Sequence, residues 1–177
     1  MPMPSAPCLL LRVLAPAVLL LALPGCKQAA VEGPAQVAFD ALVAACTQHL
    51  AAREPFVRPG GTAEWTKTGY SPAQVQSEVQ RTESKVTPFV GKMVVKDNEA
   101  RATAPTEAAA QAITLTPAHL LSNRTHTFVY SFDGKQWVWQ NGQRLTKIPG
   151  QNDATVPLAR AEVAATGPQG FAPCLPQ

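Results

Sequence analysis

Apolar residues first recur at helical spacing between residues 35 and 53. Pro34, a residue favoured in the first turn of a helix, precedes this stretch, and Pro55 follows it. Because positions three and four apart lie on one side of a helix, the apolar residues form a single stripe. Its members are Phe39, Leu42, Val43, Cys46 and Leu50. The pattern predicts an amphipathic helix that buries Cys46.

Strand-like segments follow, rich in β-branched and aromatic residues and bounded by turn-forming ones. The predicted strands lie at 65–70, 79–86 and 89–96, although Val75 and Val79 would also fit one face of a helix. A turn at Thr87-Pro88 precedes the last of them, and Asp97-Asn98 ends it. Residues 101–121 are rich in alanine and threonine and are compatible with both a strand and a short helix.

The clearest local pattern is the segment 126–148, where two dipeptides have the composition of tight hairpin turns. They are Asp133-Gly134 and Asn141-Gly142. Two-residue turns at both places predict a meander of three antiparallel strands. The register then pairs Tyr130 with Trp137, Phe128 with Trp139, and Trp139 with Arg144.

The predicted meander has an aromatic face and an aliphatic face, and one helix can cover only one of them. If the aromatic face lies beneath the helix, its residues belong to the core, where aromatic side chains contribute most. If the aliphatic face does, an aromatic and arginine patch stays half exposed, and such residues are enriched at interface hot spots. The candidate partner-binding residues of this second interpretation are Tyr130, Trp137, Trp139 and Arg144.

The last segment, 149–177, contains five prolines and predicts an irregular tail, with one short helix possible near residue 160. The fold class that follows is α+β. We expect an N-terminal amphipathic helix packed on an antiparallel sheet of four or five strands, with the tail laid over the domain.

The segment before residue 26 is apolar and has Arg12 as its only charged side chain. Its run from Val13 to Leu23 has about half the residues that a membrane-spanning helix needs. This order is typical of a signal peptide, which we place at 1–25. The last residues, Leu23-Pro24-Gly25-Cys26, resemble the lipobox of bacterial lipoprotein precursors, in which a cysteine directly follows a small residue and a leucine stands three positions earlier.

The resemblance implies that Cys26 becomes the first residue of the mature protein and carries lipid. Each buried methylene contributes about 0.8 kcal/mol, so two or three acyl chains make a stable anchor. Lys27 replaces the aspartate that retains such proteins in the inner membrane, which favours the periplasmic face of the outer membrane. Residues 26–34 would be the anchor and a short tether, and 35–177 a single globular domain. Ordinary secretion is the alternative.

The four cysteines then separate into two groups. Cys8 lies in the predicted signal and Cys26 would carry lipid, which leaves Cys46 and Cys174. In an oxidising compartment two remaining cysteines indicate a disulfide, which would fix the tail to the helix. A metal pair or a reactive thiol is the alternative, although neither cysteine has a second cysteine at ligand spacing.

Charge and motifs narrow the function classes. Without Arg12 there are fourteen Lys and Arg against twelve Asp and Glu, and no run concentrates positive charge, so a nucleic-acid partner is not expected. None of the three histidines stands at ligand spacing from another. The sequence has no nucleophile elbow, phosphate-binding glycine loop or dinucleotide fingerprint. We therefore predict no metal, no cofactor, no small-molecule substrate and no enzymatic activity.

The resulting expectation is a periplasm-facing lipoprotein, attached to the membrane through Cys26, that binds an envelope protein. It would act as an accessory subunit of an envelope or secretion assembly; the alternative is a periplasmic inhibitor or immunity protein against a secreted hydrolase. The segment VQRTESKVTPFVGKMVV, followed downstream by DGKQWVW, also resembles small exported bacterial domains of unknown role.

Overall fold

A long helix packs on one face of a seven-stranded antiparallel sheet. The computed structural model describes residues 26–61 and 63–177. The helices are α1 (Cys26–Ala51), α2 (Glu107–Ala112) and α3 (Arg160–Val163), with single 3₁₀ turns at Pro117–His119 and Ala172–Cys174. The strands are β1 (Phe56–Pro59), β2 (Trp65–Tyr70), β3 (Gln74–Arg81), β4 (Phe89–Ala104), β5 (Leu120–Phe132), β6 (Trp137–Lys147) and β7 (Ala154–Leu158). The α+β class is confirmed.

The two long strands β4 and β5 form the centre of the sheet, whose order is β1-β2-β4-β5-β6-β7. On its outer edge β4 pairs with two shorter strands in succession. β3 lies along the first half, with Arg81 opposite Phe89, and β2 lies along the second half, with Tyr70 opposite Glu99. One edge of β4 is therefore covered along nearly its whole length.

The helix covers the aromatic face of the sheet, which is the first of the two alternatives that the sequence left open. Phe39 of α1 is fully buried, with its ring centroid 5.5 Å from that of Tyr130 and 4.7 Å from that of Trp137. Gly91 of β4 allows this approach, since a Cβ at that position would lie 2.5 Å from Phe39 Cε2. The core is built on this contact.

The helix differs from the prediction in extent and in character. It begins at Cys26, so the predicted tether at 26–34 is helical. Most residues from Lys27 to Glu32 are good helix formers, and Pro34 does not end the helix. The helix is also not amphipathic along its length, because its alanines occur on all sides and the apolar Val37 is 69% exposed. The buried positions from residue 33 onward are Ala35, Phe39, Cys46 and Leu50.

The sheet is larger than predicted because β1 and β7 were not expected, and two expected turns are strand. β4 continues through Asp97-Asn98 to Ala104, and β6 continues through Asn141-Gly142 to Lys147, so the second hairpin of the predicted meander is wrong. The first hairpin exists, with a longer turn: Phe132 pairs with Trp137, and Asp133 Oδ1 accepts hydrogen bonds from the backbone N–H groups of Lys135 and Gln136. Tyr130 therefore lies opposite Trp139, and a bulge beyond this pair places Phe128 opposite Gly142.

The C-terminal tail contains the short helix expected near residue 160, α3, and is more regular than predicted because it also contains β7. β7 forms because residues 154–158 find an unpaired edge of β6, a partner that their own composition does not indicate. The disulfide between Cys46 and Cys174 is confirmed, and it fixes the tail to α1. Tyr130 Oη also donates a hydrogen bond of 2.7 Å to the Cys174 carbonyl. The tail is therefore held by the disulfide to α1 and by this hydrogen bond to β5.

The signal peptide predicted at 1–25 lies outside the described residues. Within residues 26–61 and 63–177, the helices lack the length or the apolar character that crossing a membrane would require.

Candidate functional site

The inner face of the sheet changes from apolar to charged where α1 ends. Because alternate residues of a strand face the same side, one series of side chains continues from the core into this region. In β4 the series passes from Met93 and Val95 to Asp97 and Glu99, and in β5 it passes from Phe128 back to His126, Arg124 and Ser122. All of these side chains are buried. Five polar residues are therefore held on a rigid scaffold beyond the helix.

Asp97 is the centre of a buried ionic network. Arg124 donates to both carboxylate oxygens of Asp97, at 2.9 Å from Nε and 2.7 Å from Nη2, and to Glu99 Oε2 at 2.8 Å from Nη1. Arg53, which follows α1, donates from Nη1 to Asp97 Oδ2 at 2.8 Å. The Asp97 side chain is 0% exposed. Two arginines thus share one carboxylate, and Arg124 also binds a second.

The network acts on the pKa of both arginines. Burial by itself lowers the pKa of Arg124, but the hydrogen bonds and charges of Asp97, together with Glu99, raise it above the ordinary value. For Arg53 burial has the larger effect, so its pKa is lowered even though Asp97 acts in the opposite direction. Both guanidinium groups stay protonated at neutral pH, since the ordinary pKa of arginine exceeds about 12.

The C-terminal tail forms one wall of this region. Gly170 O accepts a hydrogen bond of 3.3 Å from Arg53 Nη2 and lies 3.1 Å from His49 Nε2. These contacts hold Phe171, whose ring lies under the Arg53 guanidinium at 4.6 Å and 4.5 Å from the His126 ring. The tail is therefore a fixed part of the site.

Between the sheet and the tail lies a cavity of about 350 Å³. Its charged walls are Arg58, Arg101, Arg124, Arg144, Glu99 and Glu162. With Arg53 and Asp97 beneath them, five arginines face three carboxylates, an excess of two positive charges. Arg101 pairs with Glu99 Oε1 at 2.5 Å, and within the described residues Arg58 and Arg144 have no carboxylate partner. The cavity can attract and bind an anion.

His126 lines the same cavity beside Arg144, its partner across β5 and β6. Burial, and next the Arg124 charge, lower the pKa of His126 to about 3, so the imidazole is neutral at physiological pH. The residue is 2% exposed, and its Nδ1 is buried with no hydrogen-bond partner among the residues that the structure describes. It is a buried polar atom left unsatisfied behind the wall of the cavity.

The structure separates the four candidate partner-binding residues. Tyr130 and Trp137 are buried in the core, where Trp137 Nε1 donates to the Ala35 carbonyl at 2.9 Å. Trp139 is partly buried against the same core. Arg144 lies elsewhere, in the wall of the charged cavity and opposite His126 rather than Trp139. The four therefore do not form one surface patch.

A second cavity, of about 630 Å³, lies between α1 and the C-terminal tail. Its lining is mainly alanine, proline and leucine, with Lys135 as its one charged side chain. It offers few groups that could orient a polar ligand. In the described part of the chain, no three His, Cys, Asp or Glu side chains are placed to hold a metal ion.

Sequence reasoning missed the charged cavity, although one signal for it was present. Arg124 and His126 occupy the same every-second positions of one strand as Phe128 and Tyr130, which places a cation on the buried face. A buried arginine requires carboxylate partners, but nothing in the sequence pattern selects Asp97, 27 residues away.

No protein-family model, curated protein or solved structure matches this chain.

Proposed function

We propose that this protein is a lipid-anchored, non-enzymatic binding domain of the bacterial cell envelope. It is attached through Cys26 and faces the periplasm from the outer membrane. Its partner is an envelope protein, which it contacts at the arginine-lined cavity. Of the two roles that the sequence favours, this corresponds to an accessory subunit of an envelope or secretion assembly.

The observation that carries the proposal is the position of the cavity relative to Cys26. Helix α1 begins at Cys26 and has 26 residues, which span about 39 Å at 1.5 Å per residue. Ala35 contacts Trp137 in the first half of the helix, whereas Arg53, just beyond its last residue, contacts Asp97 beneath the cavity. A lipid on Cys26 would leave the cavity at the far end of the domain, accessible to a partner.

The composition of the cavity supports binding over catalysis. Among the described residues that line it there is no serine, threonine or cysteine that a base could activate. The Glu99 carboxylate is bound by Arg124 and paired with Arg101, so it is poorly suited to general acid or base work. The disulfide is consistent with an oxidising compartment such as the periplasm.

In-cell photo-crosslinking tests where a partner binds. A crosslinking amino acid replaces Val156, which is 38% exposed and lies opposite Arg144 across β6 and β7. The matched control replaces Val86, which is 78% exposed in the connection between β3 and β4, at the other end of the sheet. We expect a discrete protein adduct from position 156 and none from 86. Identical adducts from both positions, or none from 156, would contradict the proposal.

Lipidation is tested separately with an alkyne analogue of palmitate supplied to growing cells. We expect label on the wild-type protein and none on Cys26→Ser, which should also accumulate uncleaved. Cys8→Ser, in the predicted signal, is the control and should label normally. A Cys26→Ser protein that is cleaved and membrane-bound in unchanged amount would refute the anchor.

A further inference from the structure

We infer that the arginine-lined cavity binds a carboxylate from an acidic peptide segment of the partner. The carboxylate is held by Arg144 beside His126, and Arg58 adds positive charge to the same cavity. The peptide source rests on the function proposed above, whereas the chemistry of the ligand rests on the cavity alone.

The five arginines divide into those that are already paired and those that are free to bind a ligand. Arg53, Arg101 and Arg124 each lie within 4 Å of Asp97 or Glu99. Arg58 is exposed and Arg144 half-buried, and within the described residues neither has a carboxylate at that distance. A guanidinium group can donate two parallel hydrogen bonds to a carboxylate, so these two side chains supply matching donors.

His126 adds a polar side chain to the cavity wall beside Arg144. Buried polar atoms in proteins are almost always hydrogen-bonded, yet His126 Nδ1 has no partner in the described residues. The sheet fixes the ring opposite Arg144, and Phe171 packs against it. The neutral imidazole is therefore part of the cavity wall next to the Arg144 guanidinium.

The remaining walls favour a carboxylate over a phosphate group. Glu99 and Glu162 line the cavity and repel a second negative charge on the ligand. Leu158, Val163 and Phe171 provide apolar surface, which suits the methylene groups of an acidic side chain. A volume of about 350 Å³ admits such a side chain with its neighbouring backbone.

Calorimetric titration of the full chain, purified in detergent, tests the inference. The probe is the blocked peptide acetyl-Ala-Glu-Phe-amide, compared with its glutamine counterpart. A third peptide has the glutamine and a free C-terminal carboxylate, and inorganic phosphate is the fourth ligand. We expect binding of a carboxylate peptide, with the glutamine amide and phosphate at least about tenfold weaker. Comparison of the two carboxylate peptides identifies an acidic side chain or a chain terminus as the source.

Arg144→Gln should weaken binding by about tenfold to a hundredfold, and Arg58→Gln should weaken it in the same direction. The matched control is Arg81→Gln, because Arg81 is exposed on β3 at the other end of the sheet. Circular dichroism confirms that each variant is folded, and the two cavity variants are independent of each other.

Equal binding of the glutamine amide, equal binding of phosphate, or no binding of either carboxylate peptide would overturn the inference. So would unchanged affinity in both folded cavity variants. A crosslink from Val156 that persists alongside such a result would leave the proposed function standing with a different ligand chemistry. Loss of that crosslink with intact peptide binding would contradict the proposed function and leave the carboxylate site standing.

Discussion

Asp97→Asn is the substitution that most directly tests the buried ionic network beneath the cavity. The wild-type carboxylate accepts one hydrogen bond from Arg53 and two from Arg124, at 2.7 to 2.9 Å. Asparagine has nearly the same shape but no charge. Its amide nitrogen is a donor, so it faces the arginine donors where a carboxylate oxygen accepted their hydrogen bonds. Both arginines are then left in the protein interior with Glu99 as the one nearby carboxylate.

Removal of one partner from a buried ion pair costs about 3–5 kcal/mol, because the remaining charge is uncompensated. Side chains here are 0% to 9% exposed, so solvent offers little screening. A domain of this size is stable by about 5–15 kcal/mol, so the substitution removes a large part of the free energy of unfolding. At about 2–4 °C per kcal/mol, the melting temperature should fall by roughly 6–20 °C.

Urea unfolding followed by tryptophan fluorescence measures this loss, since Trp137 is buried in the core. The matched control is Lys92→Gln, which removes a pair with Glu78 at 3.7 Å whose side chains are 48% and 52% exposed. An exposed pair contributes at most about 1 kcal/mol, so the control should change little. The slope of unfolding free energy against urea should stay the same in all three proteins.

A loss below about 1 kcal/mol for Asp97→Asn, with an unchanged urea slope, would refute the reasoning. It would mean that the arginines find water or another acceptor at little cost. Arg53→Met combined with Asp97→Asn gives a second test. The double variant should lose less than the sum of the two single losses, because it removes one of the stranded charges together with its partner.

Three further variants test other parts of the structure. His126 has a folded-state pKa of about 3, below its ordinary value near 6.5, so its stabilising contribution is complete above about pH 6.5 and decreases toward pH 3. In urea melts at several pH values, His126→Gln should lose less stability than wild type between pH 6 and 4, by about 1.4 kcal/mol per pH unit. Parallel profiles of unfolding free energy against pH would contradict this. Gly91→Ala should cost about 1–3 kcal/mol in the same assay because its methyl group meets Phe39, and a neutral effect would indicate that α1 shifts freely. Removing the disulfide by Cys46→Ala should cost about 4–5 kcal/mol on chain entropy and expose the tail to protease first, and tail cleavage at the wild-type rate would contradict its role as a strap.

The parts of the fold that sequence predicted well depend on local signals. The stripe from Phe39 to Leu50 identified a helix, and the alternation from Phe128 to Phe132 identified a strand with an aromatic face. The disulfide followed from cysteine usage once Cys26 was set aside for lipid. In each case the relevant physical pattern lies within one segment or in a small set of residues.

The errors came from residues whose conformation is decided by distant partners. Asn141-Gly142 has the composition of a turn, but Gly142 lies within β6 opposite Phe128. A Cβ there would be 3.2 Å from both Phe128 Cδ1 and Thr127 O, so glycine serves close packing rather than chain reversal. Local composition cannot distinguish these two uses of glycine.

Local composition also fails to predict the charged cavity. Asp97-Asn98 has the composition of a strand end, yet β4 continues through it because Arg53 and Arg124 neutralise Asp97 on the buried face. These arginines are 44 and 27 residues away in sequence. Arg144 was predicted to belong to a binding surface opposite Trp139, but β6 continues where the second hairpin was expected, so Arg144 lies opposite His126 of β5.

The central claim is that a partner is bound at the cavity through its free arginines. The most direct measurement is the crosslink from Val156 in living cells, repeated in chains that carry Arg144→Gln or Arg81→Gln. We predict that the adduct formed by the wild-type background is strongly reduced by Arg144→Gln and unchanged by Arg81→Gln, at equal protein levels. An adduct of undiminished yield in the folded Arg144→Gln chain would contradict the claim.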